Sequence, residues 1–183
     1  EAGVMQGFIA GLFRGEGDLS VFLSQNSDMI EYIFGLYTDL QSGISGLGFK
    51  ATNVEQSRIY GAEMELMLSR TVGKINATLT GGYTYIHPAE INAFTGRSTG
   101  VFLKYRRKHT AKIGLLAVTD RFEAGVEMYA RSKTLNIDDV FLNPLTRESI
   151  LPGFFDYWQE NNRGYFLMDG SMGYNLSRAL KLS

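Results

Sequence analysis

The chain has no cysteine and only three prolines among 183 residues. Without cysteine it can form neither a disulfide framework nor a thiolate metal site, and it has no thiol nucleophile. A low proline content permits long strands, because proline cannot donate to a β-ladder. No apolar run reaches about 18 residues, so hydropathy indicates no transmembrane helix. The net charge of −1, with basic residues scattered along the chain, gives no support to nucleic-acid binding.

Glycine and aromatic residues, in contrast, are abundant: 21 residues are glycine and 13% are aromatic. This composition favours β-structure. The clearest pattern is at 74–86, where every second residue is apolar or glycine from Ile75 to Tyr85 and the residues between are polar or glycine. Such period-two alternation predicts a strand with one apolar and one polar side.

The same alternation predicts further strands along the chain, at 2–14, 18–34, about 60–69, 102–118, 121–132 and 164–176. In the first of these both faces carry apolar residues, and 29–34 could form either a strand or a short helix. Four tight turns are predicted between strands, at 15–18, 71–74, 119–121 and 177–179. Gly73 suits the second turn, since glycine readily adopts positive φ.

Long connections alternate with these tight turns, at 38–52, 87–100 and 133–163. Short turns at one end and long loops at the other are typical of outer-membrane β-barrels. The predicted fold is therefore all-β, a partial antiparallel transmembrane barrel of about seven to eight long strands. A soluble β-sandwich also alternates, but strands of about 12–18 residues are long against a usual mode of about 5–6.

The polar faces carry charges in mid-strand, which assigns them to a hydrated lumen. A basic side chain facing lipid at the midplane costs about 2–4 kcal/mol, and an acidic one less. The predicted lumen-facing residues are Glu63, Glu65, Lys112, Glu123, Glu127 and Asp169. The apolar faces then contact lipid. Aromatic residues near the strand ends fit interfacial girdles; they are Tyr83, Tyr85, Phe122 and Tyr174.

Several segments resemble the C-terminal barrel region of TonB-dependent outer-membrane receptors. Residues 53–66, NVEQSRIYGAEMEL, are similar to a strand of that family with an Asn followed by Gly-x-Glu-x-Glu-Leu. Residues 79–85, LTGGYTY, resemble the following strand. Residues 105–111, YRRKHTA, resemble an Arg-Pro-x-His segment, with Arg107 where the family has proline. Residues 1–3 resemble the start of an upstream strand of the family, and residues 29–32 also fit the family's sequence. The resemblance therefore covers nearly the whole chain.

The resemblance implies that 1–183 is the C-terminal portion of a 22-stranded barrel whose N-terminal plug domain is absent from this sequence. Such receptors import ferric siderophores, haem, cobalamin or glycans with energy transmitted by TonB. The implied partners are TonB, outer-membrane lipids with lipopolysaccharide, and a ligand of unknown identity. The chain has about seven strands and the stub of an eighth, which are too few to close that barrel. It is therefore expected to be a fragment whose first and last strands are unpaired edge strands.

The sequence offers no catalytic constellation, and neither an enzyme nor a cofactor is expected. His87 and His109 lie in different predicted strands without a matched acid, which favours interfacial roles over metal ligation. Glu63 and Glu65 share a strand face about 7 Å apart, a spacing that could suit acid–base work but better suits a solvated wall. Lone Gly81-Gly82 lacks phosphate-loop spacing, and Asp138-Asp139 has too few oxygen ligands nearby for calcium.

Two segments at the long-loop end are candidates for binding. The loop 133–163 combines aromatic and acidic residues, as a ligand-gripping surface does, although the same residues could instead pack the loop onto its neighbours. Its candidate ligand contacts are Phe141, Phe154, Phe155, Tyr157 and Trp158. The basic run Arg106-Arg107-Lys108 with Lys104 could bind lipopolysaccharide phosphates or an anionic ligand, or form an ordinary charged rim. The resulting hypotheses are TonB-coupled import, a passive porin, and a soluble β-rich binding module.

Overall fold

A computed structural model describes residues 1–38, 41, 43–92, 94–177 and 180–182. They form one antiparallel sheet in which sequence neighbours pair, in the order β1-β2-β3-β4-β6-β7-β8-β9, with β5 beside β4. The strands are β1 (Ala2–Ala10), β2 (Phe13–Thr38), β3 (Ser45–Val72), β4 (Ile75–Ile91), β5 (Ser98–Phe102), β6 (His109–Val118), β7 (Phe122–Arg131), β8 (Tyr165–Ser177) and β9 (Leu180–Leu182). The all-β, antiparallel, partial-barrel prediction is confirmed, with seven long strands, the short strand β5 and the stub β9. Among the described residues β1 and β9 are not paired with each other, so the sheet is open.

Turns that begin with a glycine close the β1–β2 and β3–β4 hairpins at the short-turn end. Ala10 pairs with Phe13 across Gly11-Leu12, and Val72 pairs with Ile75 across Gly73-Lys74. Gly11 has φ +63° and Gly73 has φ +61°. Glycine with positive φ at the first central position is the signature of a type II′ turn, whose twist matches that of the strands. The prediction for Gly73 is confirmed.

The third tight turn, between β6 and β7, depends on a threonine instead. The Thr119 amide donates to the Phe122 carbonyl over 2.7 Å, and the Phe122 amide donates to Thr119 Oγ1 over 2.8 Å. A side-chain acceptor thus satisfies a backbone donor that would otherwise need water. In the predicted turn at 177–179, Arg178 and Ala179 lie outside the described residues.

The predicted tight turn at 15–18 is wrong. These residues lie inside β2, where Gly15 pairs with Phe8 on one side and Leu68 on the other. A Cβ on Gly15 would come within 2.6 Å of the Phe8 ring and 2.7 Å of Leu68 Cδ2. Gly15 is therefore needed for close side-chain packing over a strand, and Gly-x-Gly-Asp here is not a turn signal.

The long-loop end contains more regular structure than the sequence predicts. β2 continues to Thr38 and β3 begins at Ser45, so most of the predicted loop 38–52 is an extension of this hairpin. Residues 29–34, which the sequence left open, form part of strand β2. Within 87–100, β4 runs to Ile91 and β5 begins at Ser98. The predicted strand 102–118 is broken, because residues 103–108 leave the edge of β4 between β5 and β6, which begins at His109. We call 103–108 the β5–β6 crossing.

Residues 132–164, between β7 and β8, form a connection that we call the β7–β8 loop. It contains one 3₁₀ turn (Asp139–Phe141) and two helices, α1 (Arg147–Ile150) and α2 (Phe154–Asn161). None of the helices in the described part of the chain has the length and apolar character needed to cross a membrane. The small buried core lies at the long-loop end, where Ala89 and Ile91 of β4 are buried together with Leu103 and with Ile137 of the β7–β8 loop.

The two faces of the sheet differ as the alternation predicts. Pairing in register puts apolar side chains of successive strands on one face, which we call the outer face, for example Leu68, Leu79, Leu115 and Val126. Large apolar side chains of this face are exposed along seven strands. The opposite, polar face is the inner face.

Candidate functional site

The six predicted lumen residues all lie on the inner face. Register carries this face from strand to strand: Glu65 lies opposite Gly82, Gly82 opposite Lys112, and Lys112 opposite Tyr129. Glu63 is two residues along β3 from Glu65, and Glu123 and Glu127 are four residues apart on β7. Because side chains alternate strictly along a strand, the shared face follows from these pairings.

Two of the six residues form an ion pair, which lies next to a pair of acids. Lys112 Nζ is 3.4 Å from Glu127 Oε2 and 5.1 Å from the centroid of the Tyr129 ring. Glu127 in turn lies directly opposite Asp169 on β8. Like charges directly opposite one another destabilise a sheet, so Lys112 offsets a local excess of negative charge.

Two further acids belong to the inner face and were missed because the sequence placed them in a turn. Asp18 lies opposite Glu65, and Glu16 lies opposite Met67. A usable signal was present: Arg14, Glu16, Asp18 and Ser20 alternate with Phe13, Gly15, Gly17 and Leu19. The inner face of β2 and β3 is therefore acidic over several successive rows.

The inner face is concave. One depression of ≈ 600 Å³ extends from β1 to β7, with Met5 at one side and Glu127 at the other. A second, of ≈ 390 Å³, lies beside it and includes Asp169. Its floor is made of small residues, among them Thr78, Thr80, Gly114, Gly125 and Ser171. A shallow, small-residue floor between charged side chains leaves room for another body, a ligand or a packed domain, against this face.

The basic run is largely engaged in contacts within the protein. Lys104 Nζ lies 3.4 Å from Asp138 Oδ1, and Lys108 Nζ lies 4.6 Å from the centroid of the Phe102 ring. Arg107 donates to the Ser132 carbonyl and lies 5.0 Å from the ring of Tyr165. These cations therefore fix the β5–β6 crossing in place.

The two histidines occupy aromatic clusters on the outer face near the long-loop end. His109 Nδ1 is 2.7 Å from the Tyr83 hydroxyl, and the His87 ring stacks on Tyr60 with centroids 4.7 Å apart. Within the described residues, no group of three His, Cys, Asp or Glu side chains is placed to hold a metal ion. Amphipathic rings at this level fit an interfacial belt.

The β7–β8 loop is attached to the sheet through a buried carboxylate. Asp138 has no solvent exposure, and its Oδ2 accepts hydrogen bonds from the Tyr105 hydroxyl and, over 3.3 Å, from the Phe34 amide. Its Oδ1 makes no hydrogen bond in the described structure but lies 3.4 Å from Lys104 Nζ, so that contact is ionic. One carboxylate thus joins the loop to β2 and to the β5–β6 crossing.

Tyr105 is specialised for this contact. It is the one non-glycine residue of the described chain with positive φ, +56°. Tyr105 is 53% exposed, and the partial burial of its hydroxyl together with the hydrogen bond to Asp138 raises the pKa of Tyr105 to about 12. Backbone strain at a position where surrounding contacts fix the geometry is typical of a constrained site.

The five aromatic ligand candidates occupy two kinds of position. Phe141 stacks on Phe34 with centroids 5.7 Å apart and meets Phe154 at 5.3 Å. Phe155 is covered by the Arg147 guanidinium, 4.0 Å above its ring. Trp158 is half-buried in α2, whereas Tyr157 is 64% exposed. The structure therefore brings Phe141 and Phe154 together in packing and leaves Tyr157 the most accessible to a ligand.

The family model described as TonB dependent receptor-like, beta-barrel matches residues 1–183. No curated protein matches the chain.

Proposed function

This chain belongs to the TonB-dependent receptor family and corresponds to β-barrel sequence of that family, and we propose that it serves TonB-energised import of a scarce nutrient. Members of this family are integral outer-membrane receptors and transporters that work with TonB. The outer face contacts lipid, and the tight turns lie on the periplasmic side with the long loops outside, as in other outer-membrane barrels. The nutrient classes proposed are a ferric siderophore, haem, cobalamin or a glycan.

The observation that supports this proposal best is the charged, concave inner face. Glu63, Glu65 and Asp169 together with the Lys112–Glu127 pair provide hydrated, hydrogen-bonding groups along β3 to β8. In our proposal they contact a plug domain or line the path of the nutrient. The reaction is translocation, with no bond made or broken in the nutrient and no resident cofactor.

The β7–β8 loop and its neighbours capture the ligand outside the membrane in this proposal. The loop is pre-organised by Asp138, which lowers the entropic cost of binding. Exposed Tyr157 and half-buried Trp158 provide rigid aromatic surface. In this proposal, outer-membrane lipids and lipopolysaccharide contact the apolar outer face.

Uptake assays test the proposal. A strain lacking the gene for this chain is supplied with labelled members of the four nutrient classes, and the same assays are run in a strain lacking TonB. We expect both strains to lose uptake of the same nutrient. Uptake that requires this gene but persists without TonB would indicate a passive porin instead. If deletion of the gene changes the uptake of no nutrient, the transporter proposal fails.

A further inference from the structure

The outer face carries a single arginine near the short-turn end. Arg70 lies two residues before the end of β3 at Val72 and pairs with Ala77 of β4. The residues that precede it on the same face of β3, at positions 68, 66 and 64, are Leu, Leu and Met. Among the described residues of β1 to β8, the outer-facing positions from this end up to Tyr60 include no other Asp, Glu, Lys or Arg. Arg70 is therefore an isolated cation on a surface that is otherwise uncharged.

The guanidinium of Arg70 lacks an acceptor. It lies 5.2 Å from the centroid of the Phe13 ring at the start of β2. Its Nε is shielded from solvent and makes no hydrogen bond, and no carboxylate in the described part of the chain pairs with it. Arg58, the outer-facing arginine at the long-loop end, differs because it donates to Gln25 Oε1 over 3.4 Å. A guanidinium has five N–H donors, and a shielded donor without an acceptor is costly, so Arg70 calls for an acceptor from outside the described chain.

The position of Arg70 relative to the membrane narrows the class of acceptor. The two residues from Arg70 to Val72 span about 7 Å along the strand, a distance that a long arginine side chain bridges to bring its charge to the interface. The short-turn end is the periplasmic side of an outer-membrane barrel. Lipid headgroups at that level carry phosphate oxygens, and two such oxygens match the fork of a guanidinium. The exposed part of Phe13, whose side chain is 43% exposed, offers apolar surface beside the charge.

We propose that Arg70 and Phe13 form a binding site for the phosphate of a phospholipid in the periplasmic leaflet. The Arg70 guanidinium donates paired hydrogen bonds to two phosphate oxygens. Phe13 holds the guanidinium through its ring face and contacts the first carbons of the lipid chains. The inference rests on the contact between the outer face and lipid in the proposed function, and it is independent of the nutrient.

Lipid binding to the full-length, detergent-purified receptor tests this site. Native mass spectrometry counts the bound lipids during titration with phosphatidylglycerol and, separately, with diacylglycerol of the same acyl chains, which lacks the phosphate. We expect the tightest step of phosphatidylglycerol binding to be about tenfold weaker in Arg70→Gln, because charge-assisted hydrogen bonds are lost. Arg70→Lys should give an intermediate affinity, since an ammonium keeps the charge without the fork. Diacylglycerol should bind weakly and equally to all three proteins.

Arg14→Gln is the matched control, because Arg14 pairs with Ser69, next to Arg70, but faces inward; it should bind phosphatidylglycerol as the unmodified receptor does. Heat-dependent gel mobility checks that each variant is folded. The inference is overturned by unchanged affinity in folded Arg70→Gln, by equal affinity of the unmodified receptor for the two lipids, or by full displacement of the lipid by inorganic phosphate.

Sedimentation velocity of the same proteins distinguishes a protein partner from a lipid. Unchanged lipid binding in Arg70→Gln together with a changed oligomeric state would show that a second copy of the chain covers Arg70, and it would overturn the inference. The uptake assays separate this site from the transporter proposal. Nutrient uptake that requires both the gene and TonB, with no effect of Arg70→Gln on lipid binding, refutes the phospholipid site alone, whereas a specific loss of lipid binding in a receptor that imports no nutrient refutes the transporter proposal alone.

Discussion

At the residue scale, Asp138 joins three parts of the chain that are far apart in sequence. Its carboxylate is bonded to Tyr105 and to the Phe34 amide and is paired with Lys104, which is itself only 14% exposed. Removing one partner of a buried ion pair leaves the other charge uncompensated, which typically costs about 3–5 kcal/mol. Asp138 is therefore the buried charged contact of the β7–β8 loop, beside backbone hydrogen bonds such as that from the Tyr105 amide to the Asn136 carbonyl.

We predict that Asp138→Ala loosens the β7–β8 loop around residue 138, where it loses its contacts with Phe34, Tyr105 and Lys104, while leaving the strands paired. Limited proteolysis followed by mass spectrometry should show cleavage within 132–164 much faster than in the unmodified receptor. Asp139→Ala is the control, because Asp139 is adjacent and also approaches Lys104, at 4.0 Å, but its side chain is 84% exposed. Equal cleavage rates in the two variants would contradict the role assigned to Asp138.

The pKa of Tyr105 gives a second prediction. Burial and the Asp138 hydrogen bond raise it from 10.0 to about 12, so the folded protein keeps this proton where an unfolded tyrosine loses it. The stabilisation is complete below pH 10 and is lost as the pH rises through about 12. The ultraviolet phenolate titration of the receptor minus that of its Tyr105→Phe variant should have its midpoint near 12. A midpoint near 10 would show that the hydroxyl is not buried against Asp138.

At the element scale, close packing over glycines holds β2, β3 and β4 in register. Phe22 covers Gly61 on the inner face, and a Cβ on Gly61 would collide with the Tyr85 carbonyl oxygen and lie 2.7 Å from the Phe22 ring. The backbone oxygen cannot move without breaking the ladder between β3 and β4. An aromatic ring placed over a strand glycine also replaces the apolar contact that the glycine lacks.

Gly61→Ala should therefore lower the free energy of unfolding by about 1–3 kcal/mol, the usual cost of overpacking. Gly82→Ala is the matched control on the same face, where a Cβ meets nothing within 4 Å; it should be neutral or slightly stabilising, since alanine restricts the unfolded chain. Urea titration of the receptor refolded in lipid vesicles measures both. A similar loss in the two variants would refute the packing argument.

The same elements explain what could be predicted from sequence. Alternation is a local property, so the strands around Leu79, Ile113 and Met168 and the face of each charge were predictable. The absence of a turn at 15–18 was not predictable. Gly15 is needed because the side chains of Phe8, across the hairpin, and Leu68, distant in sequence, pack over it. The break at 103–108 depends on Asp138, 33 residues from Tyr105 in the chain.

At the scale of the whole molecule, strand alternation alone separates an apolar outer face from a polar inner face. The extended β2–β3 hairpin has strands of 26 and 28 residues, whereas about 9–11 residues cross a membrane. The remainder projects beyond the membrane and supports the β7–β8 loop through Phe34. In the proposed function, capture outside the membrane and passage along the inner face both use these long strands.

The assignment of the two faces can be tested at adjacent positions of one strand. Leu79 faces outward and pairs with Leu68 and Leu115, while Thr80 faces inward beside Gly114. Leu79 is four residues from Ile75 at the short-turn end, about 13 Å along the strand, close to the middle of an apolar band about 25 Å tall.

Leu79→Arg therefore places a charge near the lipid midplane and should lower the free energy of unfolding in vesicles by about 2–4 kcal/mol. Thr80→Arg puts the same charge, one residue away, into the concave inner face near Glu127, where water and carboxylates solvate it, and should change stability far less. Equal destabilisation, or the larger loss at position 80, would reverse the faces and with them the path proposed for the nutrient.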